Sequence, residues 1–354
     1  MGSKSIFVEK SGSYSRRRFL KQTALTAAGW AAARKLAPGF DGWLEPRLSA
    51  EKSKVVLVRH KSVVDTSGKV QSPLLQEMLD KAITTFTGQS SVSDAWRRFI
   101  SPEDVVGLKI NTLGCQDVRG TDYTQHFPAI IEAVARGLRG IGVKDRNIVV
   151  WDRSEEEMKE AGLTIQPDPG AMRFIANKPG RRDPGEYAAT SYPVGGGSSR
   201  VSRILADVCT SLINISVPKT HSNSIFTCSL KNHYGTIDNP GRYHGNACTN
   251  PGIAEVNAIP IIRQKQKLVV CDALLTVTEA GPRWDRRFIR PYGGVLVSTD
   301  PVAIDAVALS ILDGLRKADG MEPLAPRVLH IELADKLGLG KSRLEDIDLV
   351  TVNL

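Results

Sequence analysis

Short runs of near-continuous apolar residues, separated by amphipathic stretches, limit this 354-residue chain more than any other feature. VVLVRH at 55–60 and IVVWD at 148–152 have no polar alternation, so a strand built from either is buried on both faces. Further β-rich runs span Asp104–Asn111, Leu212–Val217, Lys267–Asp272, Gly294–Thr299 and Asp346–Asn353. Helical spacing lies between them. Ser72-Pro73 supplies an N-cap and a proline at N1, and Leu74, Leu75, Met78, Leu79 and Ile83 recur on one helical face. Phe127–Leu138, Val201–Val208, Gly252–Arg263, Val302–Lys317 and Pro326–Leu337 read as the other helices. This alternation predicts an α/β fold, a mainly parallel sheet with helices on both faces. Residues 53–354 read as a single α/β domain, with an irregular, proline-bearing surface excursion at 153–200 and a polar site segment at 217–250.

The N-terminus has a different character. Ser15-Arg16-Arg17-Arg18-Phe19-Leu20-Lys21 resembles the twin-arginine export signal, S/T-R-R-x-F-L-K, at every position, and a soft Ala-rich run, Ala24–Ala33, follows it. That run is too short to span a bilayer, which takes about 20 apolar residues. It reads as an address, with Ala31-Ala32-Ala33 and Leu48-Ser49-Ala50 as small-residue cleavage sites. Residues 1–33 are therefore expected to be a signal peptide and 34–52 a linker. The expected partner is the twin-arginine export machinery and the expected location the periplasm or another extracytoplasmic space. No integral membrane segment is expected in the mature chain.

Residues 1–50 hold nine Lys/Arg against three Asp/Glu, so +6 of the chain's +9 sits there and +3 remains for the folded body. A body so near neutrality gives no electrostatic case for nucleic acid. None of the five cysteines (115, 209, 228, 248, 271) forms a C-x-x-C, so the spacing for a ferredoxin-type cluster or zinc knuckle is absent. An oxidising compartment would allow one pair to bridge. Cys209 and Cys271, in apolar surroundings, read as packing residues.

Ligands of open α/β sheets bind beyond the carboxyl ends of the strands. The residues ending the apolar runs are His60, Asn111, Asp152, Lys219, Asp272 and Asp300, and Lys109 stands inside the apolar run GLKIN, where a charge is costly unless paired or used. The densest polar region is VPKTHSNSIFTCSLKNHYGTIDNPGRYHGNAC, 217–248. Two chemistries compete there with a plain polar loop. His221, His233, His244 and Cys248 are suitable ligand types for a transition metal, at spacings of no standard motif. Alternatively Lys219, Lys231 and Arg242 converge on a phosphate or carboxylate. Downstream, Gly281–Arg287 offers arginines and Trp284 to an anion, Asp300-Pro301 reads as a helix N-cap, and Asp305 lies in an apolar helix.

GLKIN, NISVPKTHSNSIFTCSLKNHYGTI, VVCDAL and STDPVAIDAVAL resemble the domain of unknown function 362 family over most of residues 53–320. Some members carry a clustered-cysteine ferredoxin-like segment, which this chain lacks. A second likeness is to the nickel-pincer lactate racemase family, in which a strand is followed by a His and, ten residues on, a Lys; His221 and Lys231 have that spacing. The resemblance implies proton or hydride handling for the His, cofactor holding for the Lys, and a nickel-binding His near 244. The racemase's Asp-x-Thr-Arg-Pro turn is missing, with Asn111-Thr112-Leu113 in a comparable place, and Cys228-Ser229 replaces its paired glycines. This likeness is taken to support a ligand pocket and not racemase activity.

The expected function is an exported protein binding a metal ion or small anionic cofactor around the 217–248 segment. Lys109, Asn111, Lys219, Lys231, Asn232 and Arg242 are the expected cofactor-binding residues; whether the protein is an enzyme is left open, and if it is one, His221 or His233 is the acid–base group. The alternative is a non-catalytic ligand-binding or assembly protein for an exported metalloenzyme.

Overall fold

A computed structural model describes residues 51–249 and 252–354; the expected signal peptide and all but the last two linker residues lie outside them. The strands are β1 (Ser53–Arg59), β2 (Val106–Lys109), β3 (Ile148–Ser154), β4 (Arg173–Lys178), β5 (Tyr187–Val194), β6 (Gly197–Ser202), β7 (Ser211–Ser216), β8 (Lys219–His221), β9 (Ile225–Thr227), β10 (Gln266–Val277), β11 (Ile289–Ser298) and β12 (Ile347–Asn353). The main sheet runs β12-β1-β11-β10-β7-β2-β3-β4, with β8 paired to β10 and β9 to β8. Along that path only β11 is antiparallel to its neighbours. The fold is α/β with a mostly parallel sheet.

Period-two side-chain alternation divides the core. Val56 and Val58 of β1 join one buried cluster with residues of the helices Ser72–Thr87 and His126–Gly140. Val55 and Leu57 join another with the helices Ile253–Asn257, Pro301–Ala318 and His330–Lys336. Each sheet face is thus covered by helices, which is why the strand sequences are apolar throughout. Among the described residues no helix is long and apolar enough to cross a membrane.

Three stretches depart from expectation. Gly252–Arg263 is two helices, Ile253–Asn257 and Pro260–Lys265, because Pro260 lacks an N–H and forces Ile259 to extended ψ (123°). Val201 and Ser202 end β6, and only Ile204–Val208 is helical, as one wide π turn. The 153–200 excursion contains a helix, Glu155–Glu160, the edge strand β4 and the β5–β6 hairpin. Its prolines 169, 179 and 184 fall in the connections.

From β2 the chain moves outward to β3 and β4, then returns to place β7 on the other side of β2 and continues to β10. The β2/β7 boundary is therefore a point where strand order reverses, and the carboxyl ends of two neighbouring parallel strands open there without a crossover covering them.

Candidate functional site

Beyond the carboxyl ends of β2, β3 and β7 lies a cavity of about 200 Å³. Lys109, Asn111, Asp152, Arg153, Glu157, Lys219, His221, Asn223, Lys231, Asn232, Tyr234 and His244 are among its lining residues. Sheet topology explains the convergence. β2 ends at Lys109 and β3 carries Asp152, while β7 leads through Val217-Pro218 to Lys219 and His221 on β8. A single helical turn, Ser229–Asn232, then brings in Lys231 and Asn232. Asp305, buried in the helix Pro301–Ala318, accepts hydrogen bonds from the N–H groups of Ser229 (2.8 Å) and Leu230 (3.2 Å) and so fixes that turn. Burial pushes the Asp305 carboxyl up to about 7, against those hydrogen bonds.

The three lysines have different environments. Lys109, 1% exposed, donates to Asp152 Oδ1 (2.7 Å), the Ile110 carbonyl (2.5 Å) and Asn232 Oδ1 (2.8 Å). Burial favours neutral Asp152, but the Lys109 charge and the hydrogen bonds from Lys109 and Thr112 outweigh it and hold the carboxyl below its usual range. The charge cost identified in GLKIN is met by this pair. Lys219 is fully buried and donates only to the Leu113 carbonyl (2.6 Å), with the Trp284 ring centroid 5.4 Å away. Lys231, 6% exposed, lies 3.4 Å from the Tyr234 ring centroid and 3.3 Å from His244 Nε2. Among the described residues neither Lys219 nor Lys231 makes an ion pair with a carboxylate. Burial accordingly lowers Lys219 to about 8 and Lys231 to about 7.

The two cavity histidines, His221 and His244, are neutral at pH 7. His221 Nδ1 accepts from the Asn223 N–H (3.0 Å), which places the neutral ring's proton on Nε2. Burial, then the charges of Lys231 and Lys219, lower it to about 2. At neutral pH it is a hydrogen-bond donor rather than a base. Burial and Lys231 bring His244 to about 4.

Several expected participants lie elsewhere. His233 is fully buried, with Nε2 bonded to Gln266 Oε1 (2.8 Å) and Nδ1 to Thr236 Oγ1 (3.3 Å); it does not line the cavity, so the acid–base role expected for it has no access to a ligand there. Cys248 is buried outside the lining, and Arg242 is exposed, its guanidinium packed over Gly197 at the start of β6. Among the described residues no group of three or more His, Cys, Asp or Glu is arranged to hold a metal ion. The quartet His221, His233, His244 and Cys248 is therefore not assembled, because the turn Ser229–Asn232 sends His233 towards the sheet and Lys231 towards the cavity.

Of the residues ending apolar runs, Asn111, Asp152 and Lys219 reach the cavity; His60, Asp272 and Asp300 do not. Asp300 caps its helix through the N–H groups of Val302 and Ala303. Asp272 is buried against His126 Nδ1 (2.5 Å). Trp284 faces Lys219, whereas exposed Arg283 pairs with Asp117 and Arg287 with Asp285. All five cysteines are free and buried, Cys209 and Cys271 included; the Cys228 and Cys271 sulfurs are 3.6 Å apart. Arg153, Glu157, Asn223 and Tyr234 were not singled out from sequence. Arg153 directly follows Asp152, and Asn223 and Tyr234 lie within the polar segment 217–248, but nothing local marks Glu157.

A model of a domain of unknown function (DUF362) matches residues 106–310. The chain belongs to the DUF362 family. The matched region contains every cavity-lining residue named above. A search of curated proteins gives no match to this DUF362 protein. It is similar to a crystal structure of a Thermotoga maritima protein, a structural genomics target, at 11% identity and a TM-score of 0.40, covering 76% of this chain and 60% of that one.

Proposed function

We propose that this DUF362 protein is exported by the twin-arginine route and binds a small anionic ligand in the cavity beyond β2 and β7. One observation carries the reading: Lys219 and Lys231 are buried on the wall of that cavity, and among the described residues neither makes an ion pair with a carboxylate. Burying a charge is costly unless it is paired, so an anion is the partner that restores both ammonium groups. Asn223 and the His221 Nε2–H add uncharged donors. The volume is below the ~300 Å³ at which pockets for drug-sized ligands begin, which suits a carboxylate or phosphate metabolite. Of the three residues expected from sequence to converge on an anion, Lys219 and Lys231 line the cavity and Arg242 does not, so the reading rests on the two lysines. A non-catalytic carrier would use the same lysines and differ only in turning nothing over.

The test is calorimetric titration of the purified protein with sulfate and with pyruvate. Saturable binding is expected, weakened about tenfold or more in Lys219→Met, the loss of one charge-assisted hydrogen bond. No binding of any small anion by a folded wild type, or equal binding by the variant, would remove the reading.

A further inference from the structure

The geometry points to Lys231 as a covalent anchor: its amine condenses with the carbonyl of a ligand that also carries a carboxylate or phosphate, the anionic end being held at Lys219. This rests on the anion-pocket reading and goes beyond it by giving the two lysines different work. Lys219 ends in a hydrogen bond to a main-chain carbonyl and faces the Trp284 ring, a fixed positive group. Among the described residues Lys231 has neither a carboxylate partner nor a main-chain acceptor. Its Nζ is placed by the Tyr234 face at 3.4 Å and stands 3.3 Å from His244 Nε2. A buried lysine without a counter-ion exists in part as the free amine, the nucleophilic form.

The step balances without an oxidant or reductant. Nζ attacks the carbonyl carbon, and the proton released by nitrogen passes to Nε2 of neutral His244. His244 returns it to the oxygen, which gives the carbinolamine hydroxyl. The second amine hydrogen passes to that hydroxyl by the same route, and it leaves as water as the C=N bond forms, so amine plus carbonyl gives imine plus water. Asp152 is held by Lys109 and Thr112. Glu157 is held by Arg153 and Arg181. Neither is left to neutralise Lys231.

The full chain is incubated separately with pyruvate, with pyridoxal 5′-phosphate and with acetaldehyde, each with cyanoborohydride, and the reduced adducts are located by peptide mass mapping. Sulfate binding is measured in parallel by calorimetry. Labelling is expected at Lys231 about tenfold above any other lysine for the anionic carbonyls, and about tenfold below that for neutral acetaldehyde. Whichever of pyruvate and the phosphate labels more strongly identifies the anionic group. Lys231→Arg is expected to lose the adduct. Sulfate binding by the wild type with adducts absent from Lys231, or spread over surface lysines, overturns the imine and leaves the pocket reading standing. Neither binding nor labelling overturns both. The wild-type map decides the matter even where the variant does not fold.

Discussion

Lys219 and Lys231 have the same side chain as the surface lysines and a different chemistry, because water has been removed from around them. Their lowered pKa values, about 8 and about 7, set an expectation for ligand affinity. An anion binds the protonated amines, so binding is strongest below pH 7, where both carry a charge. Affinity falls as pH rises through Lys231 first and Lys219 second. Above each pKa, binding takes up a proton, and linkage gives a loss of about tenfold per pH unit for each amine. Sulfate keeps its own charge over this range, so calorimetry at pH 6 and pH 9, in buffers of different ionisation enthalpy, reads both the fall and the proton uptake. A flat profile would mean that the two lysines are not where the anion binds.

The segments that matter here are short, and each is positioned by something distant in sequence. The turn Ser229–Asn232 is one helical turn, too short to be stable alone, and it is held by Asp305, some 75 residues later. The export proposed for the N-terminal segment would work in the opposite way: an export address is read as sequence by a receptor and needs no tertiary partner. Residues 1–50 fused to a reporter are therefore expected to direct export through the twin-arginine machinery. Arg16→Lys with Arg17→Lys is expected to abolish it, measured by fractionation of cells with and without that machinery. Export of the doubly substituted fusion would assign the arginines to a solvated tail.

Across the whole molecule the cavity exists because strand order reverses between β2 and β7, and the Lys109–Asp152 pair ties β2 to β3 at its floor. Lys109→Met would leave the buried Asp152 carboxylate without its cation, at a cost of about 3–5 kcal/mol. Urea unfolding of the variant measures this; a change below 1 kcal/mol would mean that the pair does not hold the strand ends together. Much of this fold was legible in the chain. Runs such as VVLVRH and IVVWD are apolar at every period-two position because helices cover both faces, so strand identity and the parallel sheet follow from local pattern alone. Lys109 inside GLKIN also announced itself, since an apolar strand tolerates a charge only when it is matched. The sequence could not order the strands, and so could not say that Asn111 and Lys219 reach a cavity while His60, Asp272 and Asp300 do not. Nor could it separate Lys231 from His233, two residues apart, one facing the cavity and the other bonded to Gln266 behind it. Hydrophobic periodicity reports which face of a segment avoids water. Which polar groups meet depends on contacts between residues far apart in the chain, and only the packed structure decided that.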